Sequence, residues 1–191
     1  MKKIMRIVLS ALIVTTITLL VIIYHSRVQQ FIQDIQNNMS FTHILHQDRE
    51  THGFGTYANG LKFNGDNRHY GIDYHLPENT DILAATDGTV TRTFKNQFGG
   101  NVLEIQESNK RYYQWYMHLN TFKVKPGDVV KAQDVIAQSG NTGKQTTGPH
   151  LHFQRMKEGI GNRYAENPAA FIESLPHGQR SLYRLKSKPP V

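Results

Sequence analysis

Two histidines, His150 and His152, flank Leu151 in the segment Gly-Pro-His-Leu-His-Phe at positions 148–153. Residues two apart on a β-strand point to the same side, so both imidazoles would face one way while Leu151 and Phe153 enter a core. Imidazole is the side chain that most often binds metal ions and transfers protons near neutral pH. The pair predicts a metal or acid–base site, with plain polar surface as the alternative.

A second cluster, His-Tyr-Gly-Ile-Asp at positions 69–73, contains His69 and Asp73. On a straight strand these two side chains would share a face but stand about 13 Å apart, which is too far for both to bind one ion. Gly71 lies between them and permits a bend, whereas Gly71 and Pro77 make a helix unfavourable. The pattern predicts two arms of one site, or else a turn with incidental polar residues.

A third segment, Tyr112–Leu119, is aromatic and typical of a β-strand, and it contains His118. We expect Trp115 and Tyr116 in the core or in the wall of a groove. The simplest alternative for His118 is a histidine at the edge of the core.

The three segments together can supply a catalytic zinc site, which typically has three protein ligands and keeps a fourth position for water. The sequence contains no cysteine, so thiolate ligands and disulfides are excluded. His69, Asp73 and one of His150 and His152 give a suitable set. His118 and the other histidine of the pair then remain as proton-transfer groups, which hydrolysis needs.

The sequence resembles the lysostaphin-type (LytM-type) zinc endopeptidases that cut peptidoglycan peptides, over roughly residues 52–175. Within it, GIGNRYAENP (159–168) is similar to the glycyl-glycine endopeptidases that cleave staphylococcal cross-bridges. The resemblance rests on HYGIDY (69–74), ENTDILAATDGTV (78–90), FGGN (98–101), YQWYMHL (113–119), VKPGDVVKAQDVIAQSGNTG (124–143) and TGPHLHFQRM (147–156).

The resemblance implies the role of each candidate residue. One zinc ion per chain would be held by His69, Asp73 and His152, and the catalytic imidazoles would be His118 and His150. Strand geometry alone leaves open which member of the 150/152 pair binds the metal. The implied substrates are peptidoglycan peptides, with glycine-containing cross-bridges foremost.

The resemblance also implies a tyrosine whose hydroxyl holds the developing oxyanion, and Tyr57 in GFGTY (53–57) is its match. It further implies a narrow groove on one side of a small sheet, with Thr142, Gly143 and residues 144–147 as wall. We expect the remaining histidines to be surface residues: His25, His43, His46, His52, His75 and His177.

The sequence predicts that the elements positioning these residues form an all-β domain over residues 51–175, built mainly from an antiparallel sheet. Short apolar runs separated by turns indicate strands rather than alternating β–α units. Asp87-Gly88 between residues 82–85 and 89–94 predicts a hairpin. Other strands are predicted at 101–106, 112–119, 129–130, 134–138 and 150–153, and a short helix at 167–172.

The N-terminal residues 1–26 are predicted to form a cytoplasmic tip and a transmembrane signal-anchor. Lys2, Lys3 and Arg6 precede the 18 uncharged residues 7–24. As a helix this run spans about 27 Å, close to the hydrocarbon thickness of a membrane. A cleaved signal peptide is the alternative, but its apolar region is usually about 7–15 residues long. The basic residues on the N-terminal side place the rest of the chain outside the cell membrane.

Two segments flank the expected domain. Residues 27–50 are predicted to form a stalk, in which apolar residues at helical spacing predict a short amphipathic helix. Residues 176–191 are predicted to form a basic, flexible tail.

The formal net charge is +7, which favours anionic partners. For an exported domain, anionic cell-wall polymers are the expected partners and nucleic acid is not. Two other functions stay open: an inactive binding or regulatory module of the same fold, and a structural envelope protein without zinc dependence. The intact set of five histidine and aspartate positions favours the enzyme.

Overall fold

The computed structural model describes residues 24–25, 27–29, 49–57, 62 and 66–185. The chain divides into two units, residues 1–41 and 42–191. In the first unit the described residues are helical. All the strands described below belong to the second unit.

The described part of the second unit is built mainly from short strands. They are β1 (Glu50–His52), β2 (Gly55–Thr56), β3 (Arg68–His69), β4 (Ile72–His75), β5 (Asp81–Leu83), β6 (Gly88–Asn96), β7 (Gly100–Glu107), β8 (Tyr112–Phe122), β9 (Val129–Val130), β10 (Val135–Ser139), β11 (His150–Lys157), β12 (Ala165–Glu166) and β13 (Tyr183–Arg184). The helices are α1 (Ala169–Ser174) and two 3-10 turns, Asn162–Tyr164 and His177–Gln179.

Eleven strands form one sheet, whose main path runs β1-β4-β11-β8-β10-β5-β13. All its pairings are antiparallel, which confirms the predicted mainly antiparallel β fold. Strand β8 is central: β11 and β7 pair with opposite edges of its residues 113–116, and β10 pairs with its later residues 119–122. Strands β4, β11 and β8 are therefore neighbours, and the segments that carry the candidate histidines lie side by side.

The core lies under β8 and β11. Leu151, Phe153 and Tyr116 are fully buried, and the Tyr116 and Phe153 ring centroids are 5.2 Å apart. The Tyr116 hydroxyl donates to Gln114 Oε1 at 2.7 Å and accepts a bond from the Ala85 amide at 2.9 Å. The alternation in β11 thus buries Leu151 and Phe153, as predicted, and leaves the other face of the sheet to the histidines.

The predicted hairpin at Asp87-Gly88 is wrong. Strand β5 pairs with β10 and β13, and β6 pairs with β7 and β9. The Asp87 carboxylate instead accepts bonds from the Lys131 ammonium and the Ala132 amide, each at 2.9 Å. The turn residue therefore joins a distant loop rather than closing a hairpin.

The predicted flexible tail also differs from the structure. Residues 183–184 form β13, which pairs with β5, and Leu182 is fully buried in the core. The segment is basic overall, but two of its apolar residues, Leu182 and Tyr183, are buried at the edge of the sheet. Residues 186–191 lie outside the described part of the chain.

The predicted anchor and stalk fall largely outside the described residues. Of residues 7–24 only Tyr24 is described, and of residues 27–50 only 27–29, 49 and 50 are. Among the described residues, no helix combines the length and apolar character needed to cross a membrane.

Candidate metal centre and catalytic groups

Three predicted ligands meet at one point of the sheet. The His152 Nδ1 atom lies 2.8 Å from Asp73 Oδ1 and 2.9 Å from His69 Nε2, and the latter lies 3.1 Å from the Asp73 oxygen. All three residues are buried. Asp73 and His152 are directly opposite each other in the β4–β11 ladder, and His69 ends β3. We call these three residues the triad.

The bend predicted at Gly71 separates β3 from β4 and brings His69 to Asp73. A Cβ atom at Gly71 would lie 2.3 Å from the Phe153 carbonyl oxygen and 2.7 Å from His152 Nε2. Glycine is therefore required because another strand and a triad ring approach its backbone closely. The sequence predicted the right residue for the bend, but the reason is space rather than backbone freedom.

The hydrogen bonds of His69 fix which ring nitrogen faces the triad. Its Nδ1 lies 2.7 Å from the Gly53 carbonyl oxygen, which can only accept a bond. Nδ1 therefore carries the proton, and Nε2 turns a lone pair toward Asp73 and His152. A hydrogen bond from the outer ring nitrogen to a backbone carbonyl is how proteins orient histidine ligands of metals.

The Asp73 carboxyl is ionised in this setting. Burial alone would raise its pKa, but the adjoining imidazoles of His152 and His69, which donate hydrogen bonds and carry positive charge when they are protonated, outweigh burial and hold the pKa far below its usual range. Two imidazole nitrogens and one carboxylate oxygen thus converge in a buried place.

This donor set fits a zinc ion. The three ligand atoms lie within 4.8 Å of one another, and histidine with aspartate is a typical set for catalytic zinc with three protein ligands. Close packing of lone pairs and a carboxylate is unfavourable without a cation or shared protons. The triad residues are therefore those that could hold the metal.

His118 and His150 lie beside the triad. Their ring centroids are 4.3 Å apart, and His150 Nε2 is 3.9 Å from Asp73 Oδ1. His118 Nδ1 donates to the Thr142 carbonyl at 2.7 Å, and His150 Nδ1 donates to the Gly148 carbonyl at 2.8 Å. Because both Nδ1 atoms are occupied as donors, each neutral ring has its lone pair on Nε2.

Burial, together with the smaller effect of the nearby His150, lowers the pKa of His118 to about 3. His118 is therefore neutral at pH 7 and able to accept a proton.

The backbone at His118 is unusual. Strict alternation from Tyr116 would direct His118 into the core, yet its ring packs against His150. Its φ angle is 60°, a left-handed conformation that non-glycine residues rarely adopt. Such local strain is concentrated at functional sites, because the rest of the fold must hold it in place.

Tyr57 is buried beside the triad, and its ring centroid lies 5.0 Å from that of His69. Gln145 donates to its hydroxyl at 3.2 Å. Burial raises the pKa of Tyr57 to about 12, so the hydroxyl keeps its proton at neutral pH. The structure thus places the predicted tyrosine within the site.

His52 is a residue near the triad that sequence reasoning misses, because the sequence predicts only a plain surface residue there. Strand β1 places it opposite Asp73, and its Nδ1 is 3.8 Å from Asp73 Oδ2. Its side chain is 45% exposed. No spacing in the sequence could have indicated this, because the contact depends on the β1–β4 pairing.

A cleft of about 190 Å³ opens on the same face of the sheet as His152. Met117 lies opposite His152 and Trp115 lies opposite Gln154 in the β8–β11 ladder. The lining mixes aromatic and apolar side chains with charged and amide ones: Asp66, Arg68, Tyr70, Phe94, Asn96, Phe98, Gly99, Val102, Trp115, Met117, Gln145 and Asn162. We call this space the cleft.

The loop of residues 142–147, which is expected to form a groove wall, contributes only in part to the cleft. Gln145 lines the cleft, as expected. Thr142 and Gly143 attach the loop to the start of β7: the Thr142 hydroxyl accepts a bond from the Asn101 amide at 3.0 Å. A Cβ atom at Gly143, where φ is 89°, would lie 2.2 Å from the Phe98 carbonyl oxygen.

The antiparallel sheet, the triad and the two adjacent histidines define a site of the metallopeptidase type. The chain belongs to peptidase family M23, whose family model matches residues 67–166.

Two solved structures show the same fold. The structure of LytU is 58% identical, covers 72% of this chain and 92% of its own, and has a TM-score of 0.66. The catalytic domain of the antimicrobial peptidase lysostaphin from Staphylococcus simulans is 38% identical, covers 67% of this chain and 95% of its own, and has a TM-score of 0.62.

A glycyl-glycine endopeptidase, ALE-1 of Staphylococcus capitis, is similar in sequence. It is 38% identical over 152 residues, which make up 79% of this chain and 41% of ALE-1. The chain thus spans less than half the length of this relative.

Proposed function

We propose that this protein is a zinc endopeptidase that hydrolyses peptide cross-bridges of peptidoglycan, with glycyl-glycine bonds as its substrate. The observation that carries the proposal is the buried triad with two further histidines, His118 and His150, beside it. The similarity to ALE-1, a glycyl-glycine endopeptidase, supports the choice of bond.

In this proposal one zinc ion is held by His69, Asp73 and His152. When bound, zinc acidifies a water molecule and polarises a carbonyl group. The protein fixes the ligands in advance: the Gly53 carbonyl orients His69, and the β4–β11 register sets Asp73 against His152.

His118 and His150 move the protons of the reaction. One Nε2 lone pair accepts a proton from the attacking water as the C–O bond forms. The proton then passes to the amine nitrogen as the C–N bond breaks. The carbonyl partners of the two Nδ1 atoms keep both rings in the tautomer that this task requires.

Tyr57 stabilises the oxyanion that develops on the carbonyl oxygen. With its pKa raised to about 12, the hydroxyl donates a hydrogen bond without losing its proton. Gln145 holds that hydroxyl from the opposite loop.

Preference for glycine follows from the shape of the cleft. The cleft holds about 190 Å³ and includes Met117, which pairs with His152, so it favours substrate residues without large side chains. Amide side chains that line it, such as Asn96 and Gln145, can bond an extended peptide backbone.

We further propose that residues 1–26 anchor the protein in the cell membrane, with the catalytic domain on the outer, cell-wall side. The net charge of +7 suits contact with anionic cell-wall polymers. Protease protection in intact cells and in lysed cells tests this orientation.

Digestion of purified peptidoglycans tests the proposed function. The zinc-loaded full-length protein is incubated with cell walls whose bridges are pentaglycine, with walls whose bridges contain alanine or serine, and with directly cross-linked walls. Mass spectrometry then identifies the new ends. We expect new N-terminal glycine from the pentaglycine walls, and no release after zinc is removed.

Release only from directly cross-linked walls would contradict the choice of bond. No release from any wall, with one zinc bound, would favour the inactive regulatory module instead.

A further inference from the structure

A buried carboxylate, Glu104, lies at the centre of three strands. It is 1% exposed and is directly opposite Arg92 on β6 and Trp115 on β8. Burial of a charge is unfavourable unless hydrogen-bonded partners surround it. The hydrogen-bond partners of Glu104 therefore indicate the role of this carboxylate.

Both carboxylate oxygens are occupied. Oε2 accepts bonds from Arg92 Nε at 3.0 Å, Arg92 Nη2 at 2.7 Å and the Trp115 indole at 2.6 Å. Oε1 accepts a bond from the Thr91 hydroxyl at 2.7 Å. The guanidinium also lies 4.4 Å from the Phe94 ring centroid. One carboxylate thus ties together the side chains of β6 and β8 across β7.

The two rings that this cluster holds, Trp115 and Phe94, line the cleft. Their centroids are 5.8 Å apart in an edge-to-face arrangement. Trp115 lies two residues from Met117, which is opposite His152, so the indole is about 7 Å along the strand from the level of the triad. The rings are on the same face of the sheet as His152.

We propose that Glu104 is a positioning residue for substrate binding: it fixes the Trp115 indole as the wall on which a glycine-rich peptide backbone lies. This rests on the proposed function, and it identifies the surface that receives the substrate away from the reacting bond. A glycine strand presents only peptide planes and backbone hydrogen-bonding groups. A flat ring held at a fixed angle complements such a strand, whereas a mobile indole would obstruct a narrow cleft.

Trp115 is the only tryptophan of the chain, so its fluorescence reports on this cluster alone. We would compare the full-length wild type with Glu104→Ala and Glu104→Gln. Zinc content, emission spectrum, KM and kcat are measured, together with the Kd for pentaglycine from the change in emission.

For Glu104→Ala we expect red-shifted emission, an unchanged zinc content and a KM and Kd raised about tenfold, with kcat nearly constant, because a uniform binding contact is lost. Glu104→Gln keeps an oxygen that can accept the indole bond, so it should restore most of the affinity. If Glu104 had a merely structural role, both variants would lose zinc and kcat. The KM would then not rise in the order wild type, Glu104→Gln, Glu104→Ala.

Two further variants complete the test. Trp115→Phe removes the indole donor while leaving Arg92 and Thr91 on the carboxylate, and it should raise KM in a folded protein even if Glu104→Ala does not fold. Glu158→Gln breaks an exposed ion pair with Arg111, outside the cleft lining, and serves as the matched control. Its KM should equal that of the wild type.

The outcomes separate the two proposals. If the wild type cleaves pentaglycine while Glu104→Ala and Trp115→Phe keep its KM and Kd, the positioning role is overturned and the proposed function stands. If the wild type neither cleaves nor binds pentaglycine, the proposed function fails and the positioning role fails with it.

Discussion

The two histidines of the His-Leu-His segment have different environments although they share a strand face. His152 is in direct contact with Asp73 and His69, whereas His150 Nε2 remains 3.9 Å from the same carboxylate oxygen and its ring packs on His118. One strand can therefore present a metal ligand and a proton-transfer group together. The i, i+2 spacing predicted their common face, but only the structure shows their separate partners.

Mutation of His118 tests this division of roles. His118→Ala should lower the rate of peptide hydrolysis by about 10²–10⁴-fold, the usual contribution of a general acid or base, while zinc content stays at one per chain. Release of fragments from glycine-bridged peptidoglycan and metal analysis of the same sample are the measurements.

His75→Ala is the matched control, since His75 is exposed at the end of β4 and outside the triad. It should behave as the wild type. Wild-type activity in His118→Ala would remove His118 from the mechanism.

Among the elements, the β3–β4 bend determines whether the triad assembles. Gly71 is where the chain turns, and the Phe153 carbonyl of β11 lies against it. A side chain there must displace either β11 or the bend. Both movements would separate His69 from Asp73.

Gly71→Ala should therefore lower zinc content well below one per chain and lower the unfolding temperature. Atomic absorption and a thermal melt of the full-length protein measure the two effects. Gly178→Ala is the control, because a Cβ atom at Gly178 would have no neighbour within 4 Å. A Gly71→Ala protein with full zinc occupancy would show that the bend tolerates a side chain.

Local sequence patterns predicted β7, β8, β10, β11 and α1 well, because alternation and turn residues act over a few positions. They failed at Asp87-Gly88, where the aspartate bonds a loop 44 residues away in sequence. They also could not predict the positive φ of His118, since the surrounding structure imposes it. Two short motifs supplied the candidates for the triad, and the resemblance to the lysostaphin-type endopeptidases selected His152 over His150. The positions of His52 and Glu104 depend instead on strand pairing.

At the scale of the whole molecule, the C-terminal segment completes the sheet. Leu182 is fully buried and its carbonyl accepts a 2.9 Å bond from the Leu83 amide, next to the point where β13 pairs with β5. Gln133 donates to the Gln179 and Ser181 carbonyls at 3.0 and 2.9 Å. Composition predicted a mobile tail because basic residues outnumber the two apolar ones that matter.

Leu182→Ala should reduce the free energy of unfolding by about 2–5 kcal/mol, the usual cost of emptying a buried leucine site. Urea denaturation followed by circular dichroism measures it. Arg184→Ala, at an exposed position of β13, should change the stability by less than about 0.5 kcal/mol. Equal stability of the two variants would show that the segment does not contribute to the core.

The central claim is that His69, Asp73 and His152 hold one zinc ion on which hydrolysis depends. The most direct test is the zinc content per chain of the full-length wild type and of His152→Ala, with His75→Ala as control. We predict about one zinc in the wild type and in the control, and almost none in His152→Ala, because loss of one of three ligands removes a site of this type. Full zinc content in His152→Ala would contradict the account.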